Sequence, residues 1–348
     1  MVQMLKAVLF THDDMDGAGC RIVFSLAYDR IDHDTWKVFN CTNTSIDIDV
    51  MDFINNDTDH DENTLICFGD ICCSCPVMEA VKEKVKHIFV WDHHATNFPI
   101  TNVLPSAMIM PKNNLGIMES GTSLMYKYFA ENSVTNPKDP RSYWFTHGQL
   151  PVLQELVDLI RSYDTYEWKD TNNLDAKKLQ TLFWLLSMDR FCARYIDIIR
   201  GSYPGNIGSV FNRADLDFIE AKLENEQKCI DRFMDQALKF DNLKDPVYQI
   251  YVRGYTCAFT VSTLGANISE LGYQFLREHP EFDLFIQYSL QTNTFQIRTA
   301  REDLDTGAVI AAPIGGGGHP KASGATLDPT IKDQIVDLLI NFLNKDYQ

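Results

Sequence analysis

The stretch that decides the fold is Lys6-Ala7-Val8-Leu9-Phe10-Thr11-His12-Asp13-Asp14-Met15-Asp16-Gly17. Its first half, KAVLFT, is a short apolar run that ends in polar residues, the pattern of a buried strand. Gly17 to Tyr28 (GAGCRIVFSLAY) then has the length of a helix. Working outward, Thr35 to Cys41 and Thr64 to Phe68 are further strand candidates. Pro76 to Lys86 is an amphipathic helix with a proline near its first turn, and His87 to Trp91 (HIFVW) is a fourth strand. Strands and helices in this alternation predict an α/β fold with a parallel sheet covered by helices on both faces.

In such sheets ligands gather at the C-terminal ends of the strands, and the polar residues fall there. His12, Asp14 and Asp16 follow the first strand; if the backbone stays extended, all three project to one side. Gly69-Asp70 follows the third strand, and Asp92-His93-His94 follows the fourth. Carboxylates brought together in this way repel one another and resist desolvation unless cations lie between them. A mixed imidazole and carboxylate set suits Mn, Fe, Co or Zn, and two ions sharing one bridging carboxylate satisfy it most simply. Any one of these residues alone is explained as a helix cap or a solvated loop residue; their recurrence at successive strand ends is not.

Gly121 to Ala130 reads as another helix, Glu131 to Gln149 as a polar connection, and Val152 to Ser162 as a helix delivering Tyr163-Asp164-Thr165. From Asn172 to Leu243 the spacing is mostly helical, with a Gly/Pro break at Gly201 to Gly208. Beyond it come a strand at Val247 to Arg253, a helix at Gly265 to His279, and strands at Leu284 to Leu290 and Thr294 to Thr299. The expected organisation is a catalytic domain over 1–170, a helical linker or insertion over 171–245, and a smaller α/β domain over 246–348, with a substrate cleft between the two domains. Gly315 to Gly318, followed by His319, allows positive φ and close backbone approach, so successive N–H groups can cradle an anion. Arg298 lies on the preceding strand; taken alone it is also explained as an edge arginine reaching solvent.

The chain has 348 residues, 45% of them hydrophobic, and a formal charge of −17. That charge disfavours long duplex DNA and long single strands, which are held by clustered Lys and Arg. A small anionic substrate remains compatible, because bound cations reverse the local sign in an acidic cleft. Met1 to Phe10 lacks the features of a signal peptide, and no run reaches the roughly 18 apolar residues of a membrane span. Nine cysteines, including Cys72, Cys73 and Cys75, are read as buried or half-buried thiols of a cytoplasmic protein. A homodimer is left open.

Together, His12-Asp13-Asp14-Met15-Asp16-Gly17, Gly69-Asp70, Asp92-His93-His94 and Gly315-Gly316-Gly317-Gly318-His319 resemble the DHH phosphoesterase superfamily with its associated C-terminal domain. The resemblance covers nearly the whole chain and is nearest to the oligoribonuclease (nanoRNase) B type. It implies a hydrolase that removes nucleoside 5′-monophosphates from the 3′ ends of very short RNAs, using two divalent ions, Mn²⁺ foremost, with Co²⁺ or Mg²⁺ as alternatives. Residue by residue, it implies that His12 and Asp14 hold one metal, that Asp16, His93 and Asp164 hold the other, and that Asp70 bridges them. Asp92 then orients a neighbouring imidazole, and His94 reaches the scissile phosphate. Arg298, with Gly316, Gly317, Gly318 and His319, grips the substrate's terminal phosphate.

Either Asp158 or Asp164 can serve as the last ligand, and Asp-Thr after an apolar helix favours Asp164. Two departures from the family pattern are Thr11 where Ser is more usual and Ala322-Ser323-Gly324 in the C-terminal loop. Alternative substrates are bisphosphonucleotides and cyclic dinucleotides, and a nucleotide-binding regulatory module is the non-enzymatic alternative.

Overall fold

A computed structural model describes residues 7–28, 36–57, 60–131, 150–201, 209–237, 247–262, 268–289 and 292–328, together with 330 and 334. The expected connection over 132–149, most of the Gly/Pro break, and residues 6, 35, 238–243, 265–267 and 290 of the expected elements lie outside these. The chain divides into two compact units, 1–219 and 220–348.

The first unit opens with β1 (Ala7–His12) and α1 (Met15–Tyr28). They are followed by β2 (Trp36–Cys41), α2 (Ile46–Asn56), β3 (Leu65–Gly69), α3 (Cys75–Lys84) and β4 (His87–Asp92). After α4 (Ile100–Val103) and β5 (Met108–Ile109) come α5 (Gly121–Glu131), α6 (Leu150–Asp164), α7 (Glu167–Asp170) and α8 (Leu174–Arg200). The strands form one parallel sheet in the order β2-β1-β3-β4-β5, with Ala7 beside both Trp36 and Leu65, and Leu65 beside His87. β1, β3 and β4 are therefore neighbours, and their C-terminal ends meet at one edge.

Both faces are covered, as expected of a sheet whose strands are apolar throughout. On one face Val8, Phe10, Ile66 and Phe68 pack with Val50, Phe53, Met78 and Val81 of α2 and α3; Phe10 stacks between Phe39 and Phe68 at 5.0 and 5.6 Å. On the other side α1, almost wholly buried, packs against α5, α6 and α8.

Sequence reading missed α2, because Ile-Asp-Ile-Asp-Val alternates with a period of two. The structure buries Ile46, Val50, Phe53 and Ile54, a helical spacing, and leaves Ile48 exposed. The segment expected as a separate linker is shared out: α8 packs on α1 and α6, and α9 (Arg213–Ala237) runs across the division between the units.

The second unit holds one six-stranded sheet. β6 (Tyr248–Val252) and β7 (Tyr255–Ser262) form a hairpin through Arg253-Gly254, both at positive φ, the backbone that tight two-residue hairpin turns require. β7 had not been read as a strand. α10 (Ile268–Glu278) then crosses over to β8 (Leu284–Ser289), parallel to β7. β9 (Thr294–Arg298), β10 (Gly317–His319) and β11 (Ala322–Thr326) complete the order β10-β11-β9-β8-β7-β6. Leu271, Phe275 and Phe285 form the core of one face with Phe233 of α9. Leu284, Ile286 and Ile297 line the other with Leu304 and Ile310.

Candidate metal centre

The strand-end residues converge, though not by the extended alternation expected of His12, Asp14 and Asp16. β1 ends at His12 and the chain turns at once into α1, because Asp14 caps that helix. Asp14 Oδ1 accepts the Gly17 N–H at 2.9 Å, and the Asp14 carbonyl accepts that of Ala18 at 2.9 Å. The turn is so tight that a Cβ on Gly17 would lie 1.9 Å from the His12 carbonyl oxygen. Asp14 Oδ2 meanwhile stands 2.7 Å from His12 Nδ1.

Asp16 lies in the first turn of α1 and is buried. Its two oxygens accept the N–H groups of Gly121 (2.6 Å) and Thr122 (3.1 Å) at the start of α5. Helix capping thus holds for both aspartates, yet both still belong to the cluster: one ligand atom from each of Asp16, Asp70 and His93, and one from each of His12, Asp14 and Asp70, lie within 4.8 Å of one another.

Asp70 is the centre of the arrangement. It is 2% exposed and has a left-handed φ of 61°, a strained backbone that persists where the surroundings dictate it. Gly121 presses against it, leaving no room for a side chain: a Cβ there would sit 2.6 Å from Asp70 Cα. His93 Nε2 is 3.3 Å from Asp70 Oδ1 and 3.3 Å from Asp164 Oδ2, and His12 Nδ1 is 3.8 Å from Asp70 Oδ2. Both oxygens of Asp70 and Oδ2 of Asp164 are buried and accept no hydrogen bond. Buried carboxylate oxygens without donors are costly, and cations are the partners that such a set of oxygen and imidazole donors fits.

Of the two alternatives for the last ligand, Asp164, at the end of α6, reaches this cluster, whereas Asp158 lies on the exposed side of the same helix. Thr11, in place of the more usual Ser, still presents a buried hydroxyl, 3.0 Å from the carbonyls of both Gly17 and Gly69. It ties the first turn of α1 to the end of β3. Sequence reading assigned it no such role.

The electrostatics follow from burial and crowding. Desolvation, and then the charges of Asp16 and Asp14, push Asp70 far above the usual carboxylate range, and the same causes raise Asp164. Burial, then the neighbouring His94, lowers His93, favouring the neutral ring that ligates metals. Burial opposes charge on His94 as well, but its hydrogen bond and charge interaction with Asp92 outweigh this and lift it to about 9. Asp92, for which burial alone would raise the value, is held down at about 2 by the same contact and by Asn97. Asp92 is wholly buried and stands 2.8 Å from His94 Nδ1, so the imidazole it orients is His94. Asn97, Nδ2 of which donates to Asp92 Oδ2 at 2.5 Å, was missed; its place in Asp-His-His-Ala-Thr-Asn was the only signal.

In the second unit, Arg298 lies on β9, its guanidinium bonded to Ser269 Oγ (2.9 Å), the Ile297 carbonyl (2.8 Å) and Gln296 Oε1 (3.2 Å). Gly315 has φ 77° and closes a helical turn. A Cβ on Gly316 would meet the Gly324 carbonyl oxygen at 2.1 Å, and one on Gly318 that of Ala322 at 2.7 Å. Around Gly317 there is open space. Gly317 to His319 forms the edge strand of the sheet, paired with β11.

No protein-family model matches the chain. The oligoribonuclease NrnB of Bacillus subtilis strain 168 is 28% identical over 339 residues, covering 95% of this chain and 74% of that protein. The likeness runs along nearly the whole of this chain. Solved structures agree on the fold. Exonuclease RecJ bound to manganese aligns with a TM-score of 0.50 at 10% identity, over 95% of this chain and 88% of its own. RecJ of Thermus thermophilus in complex with Mn²⁺ aligns at 0.50 and 10% identity, over 93% of this chain and 50% of its own. The two histidines of Asp92-His93-His94 face different partners: His93 faces Asp70 and Asp164, and His94 faces Asp92.

Proposed function

We propose that this protein is a two-metal phosphodiesterase of the DHH superfamily that hydrolyses very short oligoribonucleotides from the 3′ end, releasing nucleoside 5′-monophosphates. The observation that carries the metal half of this reading is Asp70, buried at the centre of the cluster with two oxygens that accept no hydrogen bond. The substrate half is supported by the similarity, over 95% of this chain, to an oligoribonuclease.

We assign His12 and Asp14 to one cation, Asp16, His93 and Asp164 to the other, and Asp70 to both. Mn²⁺ is the metal we expect, with Co²⁺ or Mg²⁺ able to substitute. Divalent cations in such a site supply Lewis-acid activation of a phosphoryl group and of water. The protein's own contribution is orientation and charge. Asp92 holds the ring of His94, and a ring held at about 9 is an imidazolium at neutral pH, a donor suited to the phosphate oxygens of a substrate. In the second unit, Arg298, Gly316, Gly317, Gly318 and His319 are assigned to the terminal phosphate, a group that a planar guanidinium and backbone N–H donors suit. The net charge of −17 favours short, few-phosphate substrates over long strands. We place the protein in the cytoplasm, where nine free thiols persist.

The test is product analysis of Mn²⁺-loaded protein on RNA of two, five and twenty-four nucleotides, beside pyrophosphate, a cyclic dinucleotide and an adenosine bisphosphate, with Asp70→Ala as the blank. Mononucleotides released fastest from the shortest RNA, and absent with the blank, establish the reading. Hydrolysis confined to the cyclic or bisphosphate compound moves the substrate, and no hydrolysis with any divalent metal removes the enzyme.

A further inference from the structure

Behind His94 stands a residue that the assignments above leave without a role. Asn97 closes a single 3-10 turn, Ala95–Asn97, its backbone N–H donating to the His94 carbonyl at 3.0 Å. The turn brings the Asn97 side chain back onto Asp92, where Nδ2 donates to Oδ2 at 2.5 Å. The other carboxylate oxygen, Oδ1, accepts the backbone N–H of His94 at 3.0 Å and stands 2.8 Å from its Nδ1. All of this happens around a carboxylate with no solvent exposure.

A carboxylate in this position keeps one soft rotation, about its Cβ–Cγ bond. Bonded to His94 alone, it is free to turn and to trade one oxygen for the other. With Oδ2 fixed by Asn97, Oδ1 is presented to Nδ1 in one orientation, and a carboxylate that accepts the Nδ1 proton sets the direction of the ring. We propose that Asn97 is the positioning residue of His94: it locks Asp92, and through Asp92 it fixes the direction of the ring. The inference rests on the assignment of His94 to the substrate phosphate. It adds a residue that touches neither metal nor substrate.

A merely structural role for Asn97, closing the turn after β4, predicts something different: lost stability and displaced ligands, whatever stands at position 94. The experiment is therefore a double-mutant cycle on the full-length, Mn²⁺-loaded protein with a short RNA, comparing wild type, Asn97→Ala, His94→Ala and the double variant. The expected result for Asn97→Ala is a fall in kcat of about tenfold or more, the size of effect that loss of an outer-sphere partner has, with KM and Mn²⁺ affinity within twofold. In the His94→Ala background the same change adds nothing. Asn97→Asp keeps the shape but turns the donor into an acceptor. It is expected to lose at least as much as Ala, and serves where Ala folds poorly. A second readout, independent of turnover, is the NMR signal of the His94 Nδ1–H, which a fixed bond to Asp92 protects from exchange with water in the wild type and which exchanges freely in Asn97→Ala. Equal losses of activity with and without His94, or an unchanged exchange of the His94 Nδ1–H, overturn the proposal. If the wild type leaves every RNA intact, the substrate reading fails and the exchange measurement still decides the role of Asn97.

Discussion

His93 Nε2 and Asp164 Oδ2 stand 3.3 Å apart, one at the end of the fourth strand and the other at the last residue of the helix Leu150–Asp164. This contact sets Asp164 beside the cluster, whereas the same helix turns Asp158 outward. Asp164→Ala is expected to weaken Mn²⁺ binding by at least the ~10–100-fold that loss of an outer partner costs, whereas Asp158→Ala stays within twofold. Titration calorimetry on the two variants makes the comparison.

Protons and cations compete for the same oxygens. Crowding and burial leave Asp70 and Asp164 protonated well above the usual carboxylate range when no cation is bound. Cation binding therefore expels protons, and affinity rises with pH until those groups are ionised. Calorimetry in buffers of different ionisation enthalpy reads the released protons directly; uptake, or no exchange, contradicts the assignment.

Stability carries the same sign. The pKa of His94 in the fold, about 9, lies above the unfolded value near 6.5. Its contribution is complete below about 6.5 and is lost as pH rises through about 9. The raised values of Asp70 and Asp164 act in the same direction, while the lowered value of His93 opposes them and removes stability as pH falls. His12, also raised, adds to the first three, so the metal-free protein is expected to melt lower at pH 9 than at pH 6.5. Added Mn²⁺ raises Tm more at the higher pH, because the ionised cluster binds it better. Thermal scans at the two pH values, with and without metal, check both statements.

The glycines separate packing from function. Gly121→Ala places a methyl group 2.6 Å from the backbone of Asp70; overpacking of this kind costs about 1–3 kcal/mol, and Mn²⁺ affinity is expected to fall with it. Gly317 has open space around it, so Gly317→Ala is expected to leave the denaturation midpoint unchanged. If the loop grips a terminal phosphate through close backbone approach, KM for short RNA rises. Unchanged stability together with unchanged KM would remove Gly317 from the binding site.

Much of the first unit was legible because strand and helix periods coincide there with chemistry. Apolar runs at Lys6 to Thr11, Thr64 to Phe68 and His87 to Trp91 each end in metal-type residues, and the structure sets those three strands side by side. What the sequence concealed is tertiary in origin. Nothing local distinguishes Ile46–Asn56 from a strand, since Ile-Asp-Ile-Asp-Val fits both periods until its buried face is known. The convergence of His12, Asp14 and Asp16 comes from an abrupt entry into a helix, and its cause is the contact between Gly17 and the His12 carbonyl. Asp16 bonding to Gly121 and Thr122, and Thr11 bridging Gly17 and Gly69, join residues distant in sequence. The Gly315–Gly318 run was read as an anion cradle, yet packing alone requires Gly316 and Gly318; composition cannot separate the two causes.

The central claim is tested most directly by following a pentaribonucleotide carrying a label at its 3′ or at its 5′ end during digestion by the Mn²⁺-loaded protein, with Asp70→Ala run in parallel. The account predicts that the 3′ label leaves first, as a nucleoside 5′-monophosphate, that the 5′ label passes down a ladder of shortening products, and that Asp70→Ala releases neither. A 5′ label released first, or the same products from Asp70→Ala, contradicts it.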